Sequence, residues 1–105
     1  DLITCFSNDY GYENWLKESL KAYASKGDLL ILISSSGNSK NIINAGIQGK
    51  KIGLKIITFT GFSPNNKVRK IWNINFWVNN KTYNIVEITH QSWLLAAVDF
   101  LAVRR

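Results

Sequence analysis

The fold is decided by one stretch of the sequence, GDLLILISSSGNSKN, at residues 27–41. Five large aliphatic residues follow one another at positions 29–33. They lack the alternation of a half-exposed strand, so they predict a β-strand that is covered on both faces. Small polar residues come next, at positions 34–39, and apolar residues then recur at helical spacing up to Ile47. The stretch therefore predicts a buried strand, a polar loop and a helix, which together form the unit of a parallel sheet.

Strand-like and helix-like segments alternate along the rest of the chain. Connections of this length require crossovers, so the strands are expected to be parallel, with helices on both faces. The predicted fold class is α/β, a three-layer α/β/α sandwich with a doubly wound sheet of the flavodoxin type. We predict strands over residues 2–6, 29–33, 54–59 and 74–78, helices over residues 12–25, 39–48 and 85–103, and a short helix or turn over residues 65–71.

Composition limits the class of protein. A chain of 105 residues with 46% hydrophobic residues predicts one domain, residues 1–105, with a hydrophobic core. Because the sequence opens inside a predicted strand, we expect that an N-terminal part is missing. No apolar run reaches the roughly 18 to 20 residues of a membrane span, so no membrane partner is expected. The single cysteine, Cys5, cannot form an internal disulfide and fits the cytoplasm, which is the predicted location.

Charge is the second limit on function. The net charge of +6 would suit an anionic partner, but the Lys and Arg residues are scattered rather than clustered. Nucleic-acid binding is therefore the weakest of the functions considered.

The Walker pattern and the GxGxxG fingerprint are both missing from the sequence, which argues against a nucleoside triphosphatase and a dinucleotide enzyme.

The polar loop has the composition of a phosphate-binding site. The first turn of a helix leaves its N–H groups unpaired and carries partial positive charge. Gly37 allows a ligand to approach the backbone closely. Serine hydroxyls supply further donors, and this loop has four of them: Ser34, Ser35, Ser36 and Ser39. Capping a helix requires one serine, so the other three favour a bound phosphate over a simple cap.

Residues 27–41 resemble the sequence signature of the sugar isomerase (SIS) domain, and the similarity is strongest to its phosphoheptose isomerase-like branch. Residues 7–12 and 86–91 resemble further motifs of that branch, so the similarity extends over nearly the whole chain. The resemblance implies an SIS fold and a phosphorylated sugar as ligand. It also implies that the four serines hold the phosphate.

The same resemblance implies further site residues. Asn8 and Asp9 would contact the sugar hydroxyls, although Asn and Asp are also common turn residues. Glu87 matches a position that touches substrate or metal, and its alternative is a solvated carboxylate at a helix start. His90, the single histidine, lies three residues later on the same helix face. The pair could transfer protons as catalytic residues; alternatively, His90 packs at a subunit contact or satisfies a buried hydrogen bond.

The chain departs from the branch in two ways. The resemblance implies that N-terminal helices and a first strand are missing, and with them the family's Gly-rich segment and catalytic glutamate. The other departure is at a single position. A second histidine is expected eight residues after Glu87, as a base or zinc ligand, and Leu95 stands there. Catalytic zinc generally needs three protein ligands. The resemblance allows a zinc cofactor, but this ligand set is incomplete, and we predict no metal and no other cofactor.

These observations give two functional hypotheses. The first is an aldose–ketose phosphosugar isomerase resembling the enzymes that act on sedoheptulose 7-phosphate. The second is a non-catalytic SIS module that binds a sugar phosphate or serves as an oligomeric partner protein. The strongly apolar last helix further predicts a homo-oligomer in which this helix lies partly in the interface.

Overall fold

A computed structural model of the chain describes residues 12–72 and 74–103. The predicted strand over residues 2–6 and the residues Cys5, Asn8 and Asp9 lie outside this part of the chain. After a 3₁₀ turn at Tyr12–Asn14, the elements are α1 (Trp15–Tyr23), β1 (Leu29–Ser34), α2 (Lys40–Ile52), β2 (Lys55–Thr60), α3 (Lys67–Ile71), β3 (Ile74–Trp77) and α4 (Tyr83–Val103).

The three described strands form one parallel sheet in the order β1-β2-β3. The register of β1 and β2 runs from Leu29 opposite Lys55 to Ser34 opposite Thr60. Because the strands are parallel, the loops after β1 and β2 leave the sheet at the same edge. This topology confirms the predicted α/β class and places the serine loop beside the turn that follows β2.

The hydrophobic core lies on one face of the sheet. Its buried residues are Leu32 on β1, Ala45 on α2, Val68 on α3 and Trp72, which follows α3. α1 and α2 close this face with half-buried apolar side chains at helical spacing. The Trp72 indole occupies the space that a side chain at position 46 would need, so Gly46 is required for the close contact.

α4 covers the second face only in part. Trp93 on α4 packs against the Phe59 and Phe76 rings, with centroid distances of 6.2 and 6.0 Å. Toward the β1 edge, the same face keeps Leu29 at 56%, Ile31 at 41% and Ile33 at 43% exposure. The prediction that this strand is covered on both faces is therefore wrong for the described part of the chain.

Element boundaries differ from the predicted ones by a few residues. α2 continues past Gly49 because that buried glycine lets the helix pack closely on Leu30. It ends at Gly53, whose backbone is left-handed with φ of 92° and whose N–H donates to Gly49 O. α4 begins two residues earlier than predicted, at Tyr83. Within the described ranges, every helix falls short of the combined length and hydropathy that a bilayer crossing requires.

Candidate functional site

The serine loop, residues 34–39, connects the end of β1 to the start of α2. The Gly37 N–H donates to Ser34 Oγ at 3.0 Å, and the Asn38 N–H donates to Ser36 Oγ at 3.3 Å. These two bonds fold the loop back on itself, with Gly37 in the left-handed region at φ of 70°. A serine hydroxyl that accepts one hydrogen bond keeps its own proton to donate. Both hydroxyls thus shape the loop and can still bind an anion.

The start of α2 presents donors that the helix itself does not use. Ser39 is the N-cap residue, and its side chain makes no capping hydrogen bond. The first bond into the helix runs from the Ile43 N–H to Ser39 O at 3.0 Å. The amides at positions 40–42 therefore have no intrahelical acceptor, as at any helix start. No acidic residue lies in the first turn. Ser35, Ser36 and Ser39 are half-buried around this end, a geometry suited to a phosphate group.

The turn after β2 lies directly against the serine loop. A side chain at Gly61 would meet the Val86 methyl groups at 2.7 Å and Ser35 O at 3.1 Å. Gly61 thus allows the end of β2, the serine loop and the start of α4 to meet. This contact brings the serine loop and the start of α4 together at the carboxyl edge of the sheet.

His90 and Glu87 have different environments although they lie three residues apart on α4. His90 is 2% exposed, and its Nε2 lies 2.8 Å from Thr60 O. A carbonyl oxygen only accepts, so Nε2 carries the proton and donates it. Nδ1 has no hydrogen-bond partner among the described residues. The Glu87 side chain is exposed and makes no hydrogen bond to His90 within the described ranges. The structure therefore supplies a buried hydrogen bond for His90, and the proton-transfer role of the pair stays a prediction.

The described residues do not fit a zinc site. Leu95, at the position where the resemblance expects a second histidine, is exposed and has no ligand atom. His90 commits Nε2 to a backbone carbonyl. Across residues 12–72 and 74–103 there is no group of three His, Cys, Asp or Glu residues that could hold a metal ion.

The sequence did not predict that Asn66 belongs to the candidate site, and it gave no role to the Asn38 side chain within the predicted loop. Asn66 follows β2, is buried, and fills the space that a Cβ on Gly37 would need. The Asn38 side chain accepts a hydrogen bond from the Lys67 N–H at 3.2 Å. An asparagine shortly after Pro64 was a visible signal for a helix cap. Its contact with a loop some thirty residues earlier depends on the strand order, which the sequence pattern does not specify.

Comparison with known proteins identifies the class. The family model of the SIS domain matches residues 1–61. The chain belongs to the SIS domain family. This assignment confirms the resemblance carried by the serine loop.

The similar proteins are phosphoheptose isomerases. The chain is 42% identical to the phosphoheptose isomerase of Glaesserella parasuis serovar 5 over 81 residues, which cover 77% of this chain and 42% of that relative. It is 44% identical to the phosphoheptose isomerase of Aliarcobacter butzleri over 87 residues, with 82% and 46% covered. The structure of phosphoheptose isomerase from Neisseria gonorrhoeae superposes with a TM-score of 0.88 at 26% identity, covering 93% of this chain and 55% of that one. The chain thus spans under half the length of these two curated relatives.

Proposed function

We propose that this chain is the phosphosugar-binding domain of an aldose–ketose phosphosugar isomerase of the phosphoheptose isomerase type. The observation that carries the proposal is the serine loop, with half-buried hydroxyls gathered around the donor-rich start of α2. Relatives at 42% and 44% identity are named phosphoheptose isomerases, which supports a phosphorylated ketose as substrate. In this proposal residues 1–105 act as one domain.

The loop would act as the anchor of the reaction. Each charge-assisted hydrogen bond to a phosphate contributes about 1.5–3 kcal/mol, so several donors converging on one dianion hold it without an arginine. Anchoring the phosphate orients the carbons that exchange a proton, and remote binding energy then lowers the barrier. Aldose–ketose isomerisation also needs a base beside the carbonyl and donors for the enediolate. Among the described residues, Glu87 and His90 are the proposed acid–base pair.

A non-catalytic SIS module is the second candidate. Leu95 lacks the functional group expected at its position, and His90 already donates its Nε2 proton to Thr60 O. Such a protein would bind a sugar phosphate without converting it. The two candidates share the anchor and differ only in turnover.

A homo-oligomer with α4 in the interface is part of the proposal. α4 keeps many large apolar side chains exposed on the described chain, including Ile88, Val98 and Leu101. Contiguous apolar surface of this kind typically marks a protein–protein contact.

The test uses the full-length protein and sedoheptulose 7-phosphate. Proton NMR follows aldose formation, and calorimetry measures affinity. Turnover would support the isomerase, whereas binding without turnover would support the non-catalytic module.

Replacing Ser36 and Ser39 together by alanine should weaken affinity by roughly tenfold or more, since two donors are lost. Ser92→Ala, an exposed serine on α4, is the matched control. Unchanged affinity in the double variant would contradict the anchor.

A further inference from the structure

The Asn66 side chain is the centre of a buried hydrogen-bond network after β2. Asn66 is 1% exposed. Its Nδ2 shares two protons among three nearby acceptors, Thr60 Oγ1 at 3.1 Å, Gly61 O at 3.2 Å and Ser63 O at 2.9 Å. Its Oδ1 accepts from the Arg69 N–H at 2.7 Å, which caps α3. A cap alone needs only the last of these bonds, so the amide group does more than begin a helix.

The start of α3 also donates two hydrogen bonds to the serine loop. The Val68 N–H donates to Gly37 O at 2.8 Å, and the Lys67 N–H donates to Asn38 Oδ1 at 3.2 Å. Both amides belong to the first turn of α3, where no intrahelical acceptor exists. The serine loop therefore supplies the acceptors that this helix start lacks, and in return the helix fixes the loop at two consecutive residues.

Asn66 and Gly37 are in direct contact. The Asn66 side chain occupies the space that a Cβ at position 37 would need. The loop can thus approach α3 this closely only with a glycine at position 37. Position 37 therefore requires glycine for two reasons: its backbone is left-handed, and the Asn66 side chain fills the space of a Cβ.

We propose that Asn66 is a positioning residue that holds the serine loop in the conformation that binds phosphate. The inference rests on the proposed function, since it assigns a role within the same phosphate site. A loop that is ordered before binding loses less conformational entropy when the ligand arrives, so its affinity is higher. Asn66 touches none of the four serine side chains through a described hydrogen bond, so it acts through its contact with Gly37 and through α3, which it caps and whose Lys67 N–H donates to Asn38.

The test separates positioning from capping with the variant Asn66→Ser. Serine still accepts from the Arg69 N–H as an N-cap, but its shorter side chain cannot replace the contacts of Nδ2 with its three acceptors. In the full-length protein we expect the affinity for sedoheptulose 7-phosphate to fall roughly tenfold, with KM raised and kcat changed far less. Amide hydrogen exchange at residues 35–39 should accelerate, while exchange in β1 stays unchanged. The adjacent Asn65→Ala is the matched control, because the Asn65 side chain is exposed and its one described bond uses the backbone N–H.

The outcomes are distinct. A folded Asn66→Ser protein with unchanged affinity and unchanged exchange at residues 35–39 overturns the proposal. If Asn66→Ser does not fold, Asn38→Ala decides, because it removes the exposed bond to the Lys67 N–H and should weaken affinity several-fold; unchanged affinity in that variant overturns the proposal. A wild-type protein that binds no sugar phosphate overturns the proposed function and, with it, this assignment.

Discussion

Gly37 is the residue whose replacement tests the serine loop most directly. We expect Gly37→Ala to destabilise the protein and to weaken phosphate binding. The left-handed backbone at φ of 70° costs alanine about 1–2 kcal/mol. The new methyl group would also displace the Asn66 side chain and break its hydrogen bonds. Chemical denaturation and calorimetry with a sugar phosphate measure the two effects.

Gly27 provides the control for this substitution. Its φ of 90° also lies in the left-handed region, but no described residue other than its chain neighbours has an atom within 4 Å of the place where a Cβ would be. Gly27→Ala should therefore show the backbone cost of about 1–2 kcal/mol without any change in phosphate affinity. Equal loss of affinity in both variants would show that the contact of Gly37 with Asn66 is irrelevant to binding.

At the scale of single residues, the sequence indicates local features but not contacts between distant segments. The four serines and Gly37 stand out because they form a continuous stretch beside a helix start, as phosphate-binding loops do. The capping role of Asn66 was equally local. Its contact with Gly37 arises only because β1 and β2 are neighbours in the sheet, and no pattern of residues in a single sequence records that pairing.

At the scale of secondary-structure elements, His90 links α4 to the end of β2 through a hydrogen bond. Thr60 O accepts from both the Val78 N–H at 3.0 Å and His90 Nε2. We expect His90→Phe to lower the free energy of unfolding by about 1 kcal/mol, because the ring packing is kept and one hydrogen bond is lost. His90→Gln should recover most of this loss, since its amide can donate to the same oxygen. Urea denaturation measures both values.

Turnover of the same variants in the full-length protein tests the acid–base prediction for His90. Glutamine donates a hydrogen bond but cannot exchange protons near neutral pH. A stable His90→Gln protein that keeps its activity would leave His90 as the anchor of α4. A stable variant that loses its activity would support proton transfer by the imidazole.

Element positions were predictable because α2 has apolar residues at helical spacing, β1 is a short continuous aliphatic run, and α4 is a long, strongly apolar segment. The end of α2 was placed too early because glycine usually stops a helix, whereas Gly49 is buried against Leu30 and serves close packing. The five aliphatic residues of β1 correctly predicted a strand. They could not reveal that the described chain covers only one of its faces, since covering depends on elements far away in sequence.

At the scale of the whole molecule, the exposed face of β1 and the apolar residues of α4 leave a large apolar surface in water on the described chain. An apolar groove of about 700 Å³ lies between the exposed sheet face and α4, and it is lined by Ile31, Ile57, Val98 and Leu101 among others. Burying apolar surface contributes roughly 25 cal/mol of free energy for each Å² removed from water, and this surface does not gain that contribution while it stays exposed. The proposed association of copies through α4 would remove such surface from water, which is why the oligomer belongs with the proposed function.

Leu101→Arg tests this association. Leu101 is 63% exposed on the described chain, so in a monomer the substitution should change stability by no more than about 0.5 kcal/mol. In an interface the arginine would bring an unpaired charge into a desolvated contact and weaken assembly. We therefore expect light scattering to show a smaller mass for Leu101→Arg than for the wild type at the same concentration. Gln91→Arg adds the same charge at an exposed polar position of α4 and should leave the mass unchanged. A wild-type protein that is already monomeric at micromolar concentration would contradict the proposed oligomer, and the apolar face would then require a different covering.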